Sequence, residues 1–87
     1  MADITMYTSR GCGYCHRAEQ LLKSKGVEAV TRIYVDSDAE SMNQMIALTG
    51  RRTVPQIFIG NIHVGGFDDL SLLDRNGGLD RLLASDS

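Results

Sequence analysis

Apolar residues recur along this chain at two periods, one strand-like and one helical, and the periods interchange. Ile4–Tyr7 reads as a first strand. From Tyr14 to Lys25 the pattern is that of an amphipathic helix, with Ala18, Leu21 and Leu22 on one face and Gly26 placed to stop it. Val30–Val35 alternates as a second strand. Asp36, Ser37 and Asp38 offer N-caps to a second helix, in which Met42, Met45, Ile46 and Thr49 share a face and Gly50 ends the run. That methionine stripe is core packing rather than a cofactor surface.

Val54–Ile59 is the third strand, with Pro55 near its start and Ile57 and Phe58 as structural positions. Gly60-Asn61 is a two-residue hairpin signal, and Ile62–Val64 returns as a short fourth strand. Gly65-Gly66 breaks that run before a third helix over Asp68–Asn76; after Gly77-Gly78 a last short helix covers Leu79–Ala84. Strand–helix–strand implies a parallel pair with a right-handed crossover, and the hairpin adds an antiparallel pair. The order βαβαββα predicts an α/β fold, a four-stranded mixed sheet flanked by helices, with residues 1–87 as a single domain.

The chain's 87 residues suit one domain. Such a domain buries roughly 60–70% of its unfolded surface and folds without staples. Nine basic and eleven acidic residues give a net charge of −2, which argues against a nucleic-acid partner, since that needs a basic face. No segment approaches the roughly 20 apolar residues of a membrane span, so no membrane partner is expected. Met1-Ala2-Asp3-Ile4 lacks the basic and apolar regions of a secretory signal. The expected location is therefore cytoplasmic, where a disulfide is transient rather than structural.

Cys12-Gly13-Tyr14-Cys15 contains the only two cysteines, set between the first strand and the first helix. Two thiols this close can join in a disulfide, and the N–H groups and dipole of a helix N-terminus favour thiolate over thiol. In this context the pair reads as a thioredoxin-like redox motif, and a purely structural clip is the weaker reading. Two rivals use the same cysteines. Cys12-Gly13-Tyr14-Cys15-His16 matches the attachment pattern of c-type haem, which would need export and an axial partner such as Met42, Met45 or His63. A structural zinc would need four ligands, and His63 lies far outside finger spacing. The expectation is no resident metal, with His16 an ordinary surface residue.

Three stretches narrow the redox reading: Tyr7-Thr8-Ser9-Arg10-Gly11-Cys12-Gly13-Tyr14-Cys15, Thr53-Val54-Pro55-Gln56-Ile57-Phe58-Ile59 and Gly65-Gly66-Phe67-Asp68-Asp69-Leu70. Together they closely resemble the glutaredoxins, and most of all the small bacterial dithiol type, over Ile4 to Leu83. The resemblance implies a thioredoxin-like fold and a glutathione-dependent thiol–disulfide oxidoreductase. In it Cys12 is the exposed nucleophile and Cys15 the inward-facing resolving thiol. Glutathione would be the co-substrate, and glutathionylated or disulfide-bonded proteins the partners of a monomer. Tyr14, Thr53, Val54, Gly66 and Asp68 match positions that contact glutathione in the family; Asp69 is a further candidate, and Pro55 would follow a cis bond beside the active cysteine.

Glutathione brings two carboxylates, an ammonium and an extended backbone. Arg10, Arg51 and Arg52 can supply positive charge, and the N–H groups opening the third helix can hold a carboxylate. Asp68 or Asp69 can accept the ammonium, and the Val54 backbone can pair with the peptide as an added strand. Without the resemblance, Asp68 and Asp69 read as acids favourable in a helix's first turn, and Arg51 and Arg52 as solvated charges. The chain departs from the family twice. Gly13 stands where most dithiol relatives have proline, and Ser9 where many carry a glutathione-contacting lysine, a charge that Arg10 next door can supply. Relatives with a small residue in place of that proline can hold a [2Fe–2S] cluster between two protomers. Cys12 of each chain and two glutathiones are then the ligands, so a cluster-bound dimer is the alternative expectation.

Overall fold

β1 (Ile4–Thr8) is the strand around which the other elements are laid. β2 (Thr31–Tyr34) pairs with it in parallel and β3 (Gln56–Ile59) antiparallel, and β4 (Ile62–Gly65) pairs antiparallel with β3. The sheet order is therefore β2-β1-β3-β4. α1 (Gly13–Ser24) and α2 (Ala39–Thr49) follow β1 and β2, and α3 (Phe67–Arg75) and α4 (Gly78–Ala84) close the chain. This computed structural model describes residues 3–84. The fold is the α/β arrangement that the order of elements predicts, and the last short helix extends the βαβαββα string by one.

Period-two alternation in β1 sends Ile4 and Met6 to one face and Tyr7 to the other. On the first face Ile4, Met6, Ile57 and Ile59 meet Ala18 and Leu22 of α1, Leu70 of α3, and Leu79 and Leu83 of α4. On the second, Tyr7 and Val35 meet Met45, with Met42, Ile33 and Phe58 at the rim. Met45 is fully buried and Met42 partly so, which bears out their reading as core. The result is helices on both faces of a mixed sheet.

The helix ends follow their residues. Asp38, out of the three candidates, is the N-cap of α2, its carboxylate accepting from Ser41 N at 2.7 Å. Gly50 ends that helix at φ 70°, a left-handed position that costs a residue with a Cβ roughly 1–2 kcal/mol. Most predicted boundaries hold to within a residue. β3 is the exception: it begins at Gln56 and not at Val54. Pro55 has no N–H to give to a ladder, and pairing with β1 opens at Tyr7–Gln56. Thr53 and Val54 are left outside the sheet, free to face something else.

Leu22 ties α1 to the sheet and is fully buried. Leu22→Ala should lower the unfolding free energy by about 2–5 kcal/mol, read from the urea midpoint at unchanged slope. A loss below about 1 kcal/mol would contradict the packing described.

Candidate active site

The loop after β1 delivers Cys12 to the N-cap of α1, with extended backbone at φ −85° and ψ 109°. Its sulfur takes the place of a capping oxygen and accepts from Cys15 N at 3.1 Å. On the other side Cys12 Sγ lies 3.9 Å from Val54 O. An N–H aimed at a sulfur on a helix N-terminus is an arrangement that stabilises negative charge there. Cys12 is half-buried, whereas Cys15 is 3% exposed and continues the inward face of α1 formed with Ala18 and Leu22. Both are free thiols.

Burial pushes the Cys15 thiol up to about 11. Its hydrogen bond with Cys12 pushes the same way, while bonds with Thr8 and Ser9 pull back. At neutral pH Cys15 is a protonated reserve behind the lip that carries Cys12.

Beside Cys12 runs an open groove of about 270 Å³. One wall is Thr53, Val54 and Pro55, from the α2–β3 connection; the other is Gly66–Asp69, the opening of α3; Tyr14 stands at the mouth. The Val54–Pro55 bond is cis, as the family resemblance implied. Tyr14 is 59% exposed and stacks obliquely on Phe67, ring centroids 6.2 Å apart. Seven of the predicted binding residues thus converge: Tyr14, Thr53, Val54, Pro55, Gly66, Asp68 and Asp69.

Arg10 does not join them. It borders a separate hollow on the other side of Cys12. Its guanidinium donates to Ser37 Oγ at 2.8 Å and stands 5.9 Å from the Tyr34 ring centre. The cation in the groove is Arg51.

The two acids at the start of α3 divide their work. Asp69 accepts from Gly66 N and from Arg51 Nη1, each at 2.9 Å. The Gly66 N–H and, next, Arg51 hold its carboxyl below the usual range. Its charge is committed to closing the helix. A Cβ on Gly65, at φ 116°, would collide with that carboxylate, so glycine alone fits. Asp68 is exposed and makes no side-chain hydrogen bond among the described residues, which leaves it free to meet a cation. The first amides of α3 have no acceptor within the helix, and Gly66 supplies no side-chain cap.

Arg51, Gln56 and Phe67 also line the groove; the sequence named Arg51 as a source of charge, and Gln56 and Phe67 only as members of the family's motifs. Gln56 carried a signal that went unused: a polar residue in an apolar strand must find partners when buried. It is 1% exposed. Its amide donates to Thr53 O at 3.0 Å and meets His63 Nε2 at 2.8 Å.

Comparison with known proteins agrees with this geometry. A family model described as glutaredoxin matches residues 4–64. Glutaredoxin 3 of Escherichia coli (strain K12) is 52% identical over 83 residues, 95% of this chain and 99% of that protein. The solution structure of a glutaredoxin from Brucella melitensis superposes with a TM-score of 0.83 at 48% identity, covering 95% of this chain and 89% of that one. A crystal structure of a buckwheat glutaredoxin–glutathione complex gives 0.84 at 30% identity, covering 94% and 76%.

The asymmetry of the two thiols is directly measurable. A brief pulse of iodoacetamide at neutral pH should label Cys12 alone, with Cys15 labelled only after unfolding. Peptide mapping that found equal labelling in the folded protein would contradict the burial of Cys15.

Proposed function

The chain belongs to the glutaredoxin family and is a thiol–disulfide oxidoreductase, and we propose that its reaction depends on glutathione. The observation that carries this reading is the position of Cys12 Sγ, 3.9 Å from Val54 O at the edge of a groove suited to an extended peptide bearing charges of both signs. A γ-linked tripeptide laid along Val54 would pair with its backbone as an added strand. The free amides opening α3 would take one carboxylate, Asp68 the ammonium, and Arg51 the remaining negative charge. The buckwheat relative was solved with glutathione, which supports carrying that ligand over.

The chemistry then balances in two exchanges. Cys12 thiolate attacks the glutathionyl sulfur of a protein–glutathione mixed disulfide, the protein thiolate leaves, and Cys12 holds the glutathionyl group. A second glutathione thiolate attacks that same sulfur, releasing oxidised glutathione and restoring Cys12. With a protein disulfide, Cys12 becomes bonded to one substrate sulfur and Cys15 displaces it. The Cys12–Cys15 disulfide so formed is reduced by two glutathiones. Glutaredoxin potentials of about −200 to −230 mV lie at or above the cytosolic glutathione poise, so this reduction runs downhill in the cytoplasm, where we place the reaction.

A [2Fe–2S] module is the second reading. A Cβ on Gly13, next to Cys12 in the chain, would meet nothing within 4 Å, so this position is open. Among the described residues no three His, Cys, Asp or Glu side chains converge, so one chain does not supply a full ligand set. Two chains and two glutathiones would have to complete the set. A brown dimer after anaerobic purification with glutathione would support this reading, and a colourless monomer would dismiss it.

The deciding experiment is glutathione-dependent turnover of a glutathionylated peptide. Cys15→Ser should retain most of it while losing reduction of protein disulfides, and Cys12→Ser should lose both. Asp68→Asn should raise KM for the glutathionylated peptide about tenfold, as expected for one charge-assisted contact, with little change in kcat. Equal activity of Cys12→Ser and wild type would sink the assignment.

A further inference from the structure

Gln56 is buried between Pro55 and Ile57, and both ends of its amide are engaged. Its Nε2 lies 3.0 Å from Thr53 O and 3.4 Å from Thr53 Oγ1. A backbone carbonyl only accepts, so the amide nitrogen must be the atom that faces it. Oε1 is thereby turned toward His63, whose Nε2 is 2.8 Å away. An amide oxygen also only accepts, so His63 Nε2 carries the proton. One directed chain results: His63 Nε2–H to Gln56 Oε1, then Gln56 Nε2–H to Thr53 O. The His63 ring is steadied by Phe58, centroids 5.0 Å apart and planes 30° from parallel. Partial burial, then Arg51, push the ring's ionisation down, with Asp69 opposing.

The end of this chain matters because Thr53 O and Val54 N–H belong to one peptide unit. That unit is planar and trans, since the cis bond is the next one along. The carbonyl and the N–H of a trans peptide point in opposite directions. Pinning Thr53 O inward to Gln56 therefore turns Val54 N–H outward, and no hydrogen bond to that N–H is formed among the described residues. His63 does not line the groove; it reaches Gln56 on β3 from β4.

We propose that His63 is a positioning residue for the substrate groove: through Gln56 it sets the Thr53–Val54 peptide plane and so presents Val54 N–H to the peptide of a glutathionylated substrate. The identity of that substrate rests on the glutathione reading above, whereas the peptide-plane geometry does not.

Two substitutions separate the donor from the ring. His63→Phe keeps the ring against Phe58 and removes the N–H. His63→Gln loses the ring but places an amide N–H near the position of Nε2. KM for a glutathionylated peptide should rise roughly three- to tenfold in His63→Phe, the scale of one lost neutral hydrogen bond, and return to within about twofold of wild type in His63→Gln. Gln56→Met keeps the buried volume and should raise KM equally; combined with His63→Phe it should add no further rise. If His63→Phe and His63→Gln shift KM alike, or if the Gln56 and His63 effects multiply, the proposal is overturned.

Nitrogen-15 spectra supply a readout that needs no substrate. They should show His63 as the Nε2–H tautomer, with the Val54 amide resonance moved in His63→Phe and restored in His63→Gln. An Nδ1–H tautomer, or an unmoved Val54 amide, would overturn it. A wild-type protein indifferent between glutathionyl and cysteaminyl mixed disulfides would sink the glutathione reading instead, and the Val54 resonance would still decide this one.

Discussion

The site depends on one contact, the hydrogen bond from Cys15 N–H to Cys12 Sγ. It makes Cys12, the proposed nucleophile, the cap of its own helix. Capping places the sulfur at the helix N-terminus, in line with the dipole and at the end of β1. It also fixes where the second thiol goes. Three residues on, Cys15 has entered the first turn and faces inward, so the same local geometry exposes one sulfur and buries the other. The strand–loop–helix connection is thus the source of the different exposure of the two sulfurs.

The groove is assembled from segments far apart in the chain, and each has its own internal brace. Asp69 closes on Gly66 N–H and Arg51, which ties the start of α3 to the end of α2. Gln56 closes on Thr53 and His63, which ties the cis-proline segment to both central and edge strands. In both braces a side chain is used up in fixing backbone, the Gly66 amide in one and the Thr53 carbonyl in the other. Peptide-like ligands are well met this way, because backbone amides lose no rotamer freedom on binding.

Much of this was legible in the sequence because the signals were local. A CxxC between a strand and a helix, caps at Asp38 and Gly50, and a Gly-Asn hairpin each depend on a few adjacent residues. What escaped depends on partners distant in sequence. Nothing near Arg10 announces that Ser37 and Tyr34 will draw its guanidinium away from the groove. Asp68 and Asp69 look equivalent until Arg51 and the Gly66 amide claim one of them. The strand over Val54–Ile59 is too long by two residues because an apolar run containing proline reads as strand, while the ladder needs an N–H that Pro55 lacks. The Gln56–His63 link was foreshadowed only as an obligation, since a buried amide needs partners somewhere.

Burial of Cys15 bears on the part proposed for it in the exchange. With its thiol pushed up to about 11 while Cys12 is free, Cys15 is almost wholly protonated at pH 7. A more basic thiolate is intrinsically more nucleophilic, but with a Brønsted slope of about 0.4–0.5 that regains only part of the loss. Ionisation therefore disfavours Cys15, and what remains to it is position. A well-oriented intramolecular group can reach effective molarities of roughly 10⁵–10⁸ M, enough to offset so small a thiolate fraction. That advantage exists only while Cys12 is joined to a sulfur Cys15 can displace in line. In the proposed reaction a glutathionyl group on Cys12 would lie in the groove, with its sulfur open to an external thiol. In the proposed reaction, burial keeps Cys15 from external disulfides, and proximity lets it reach whatever sulfur Cys12 holds.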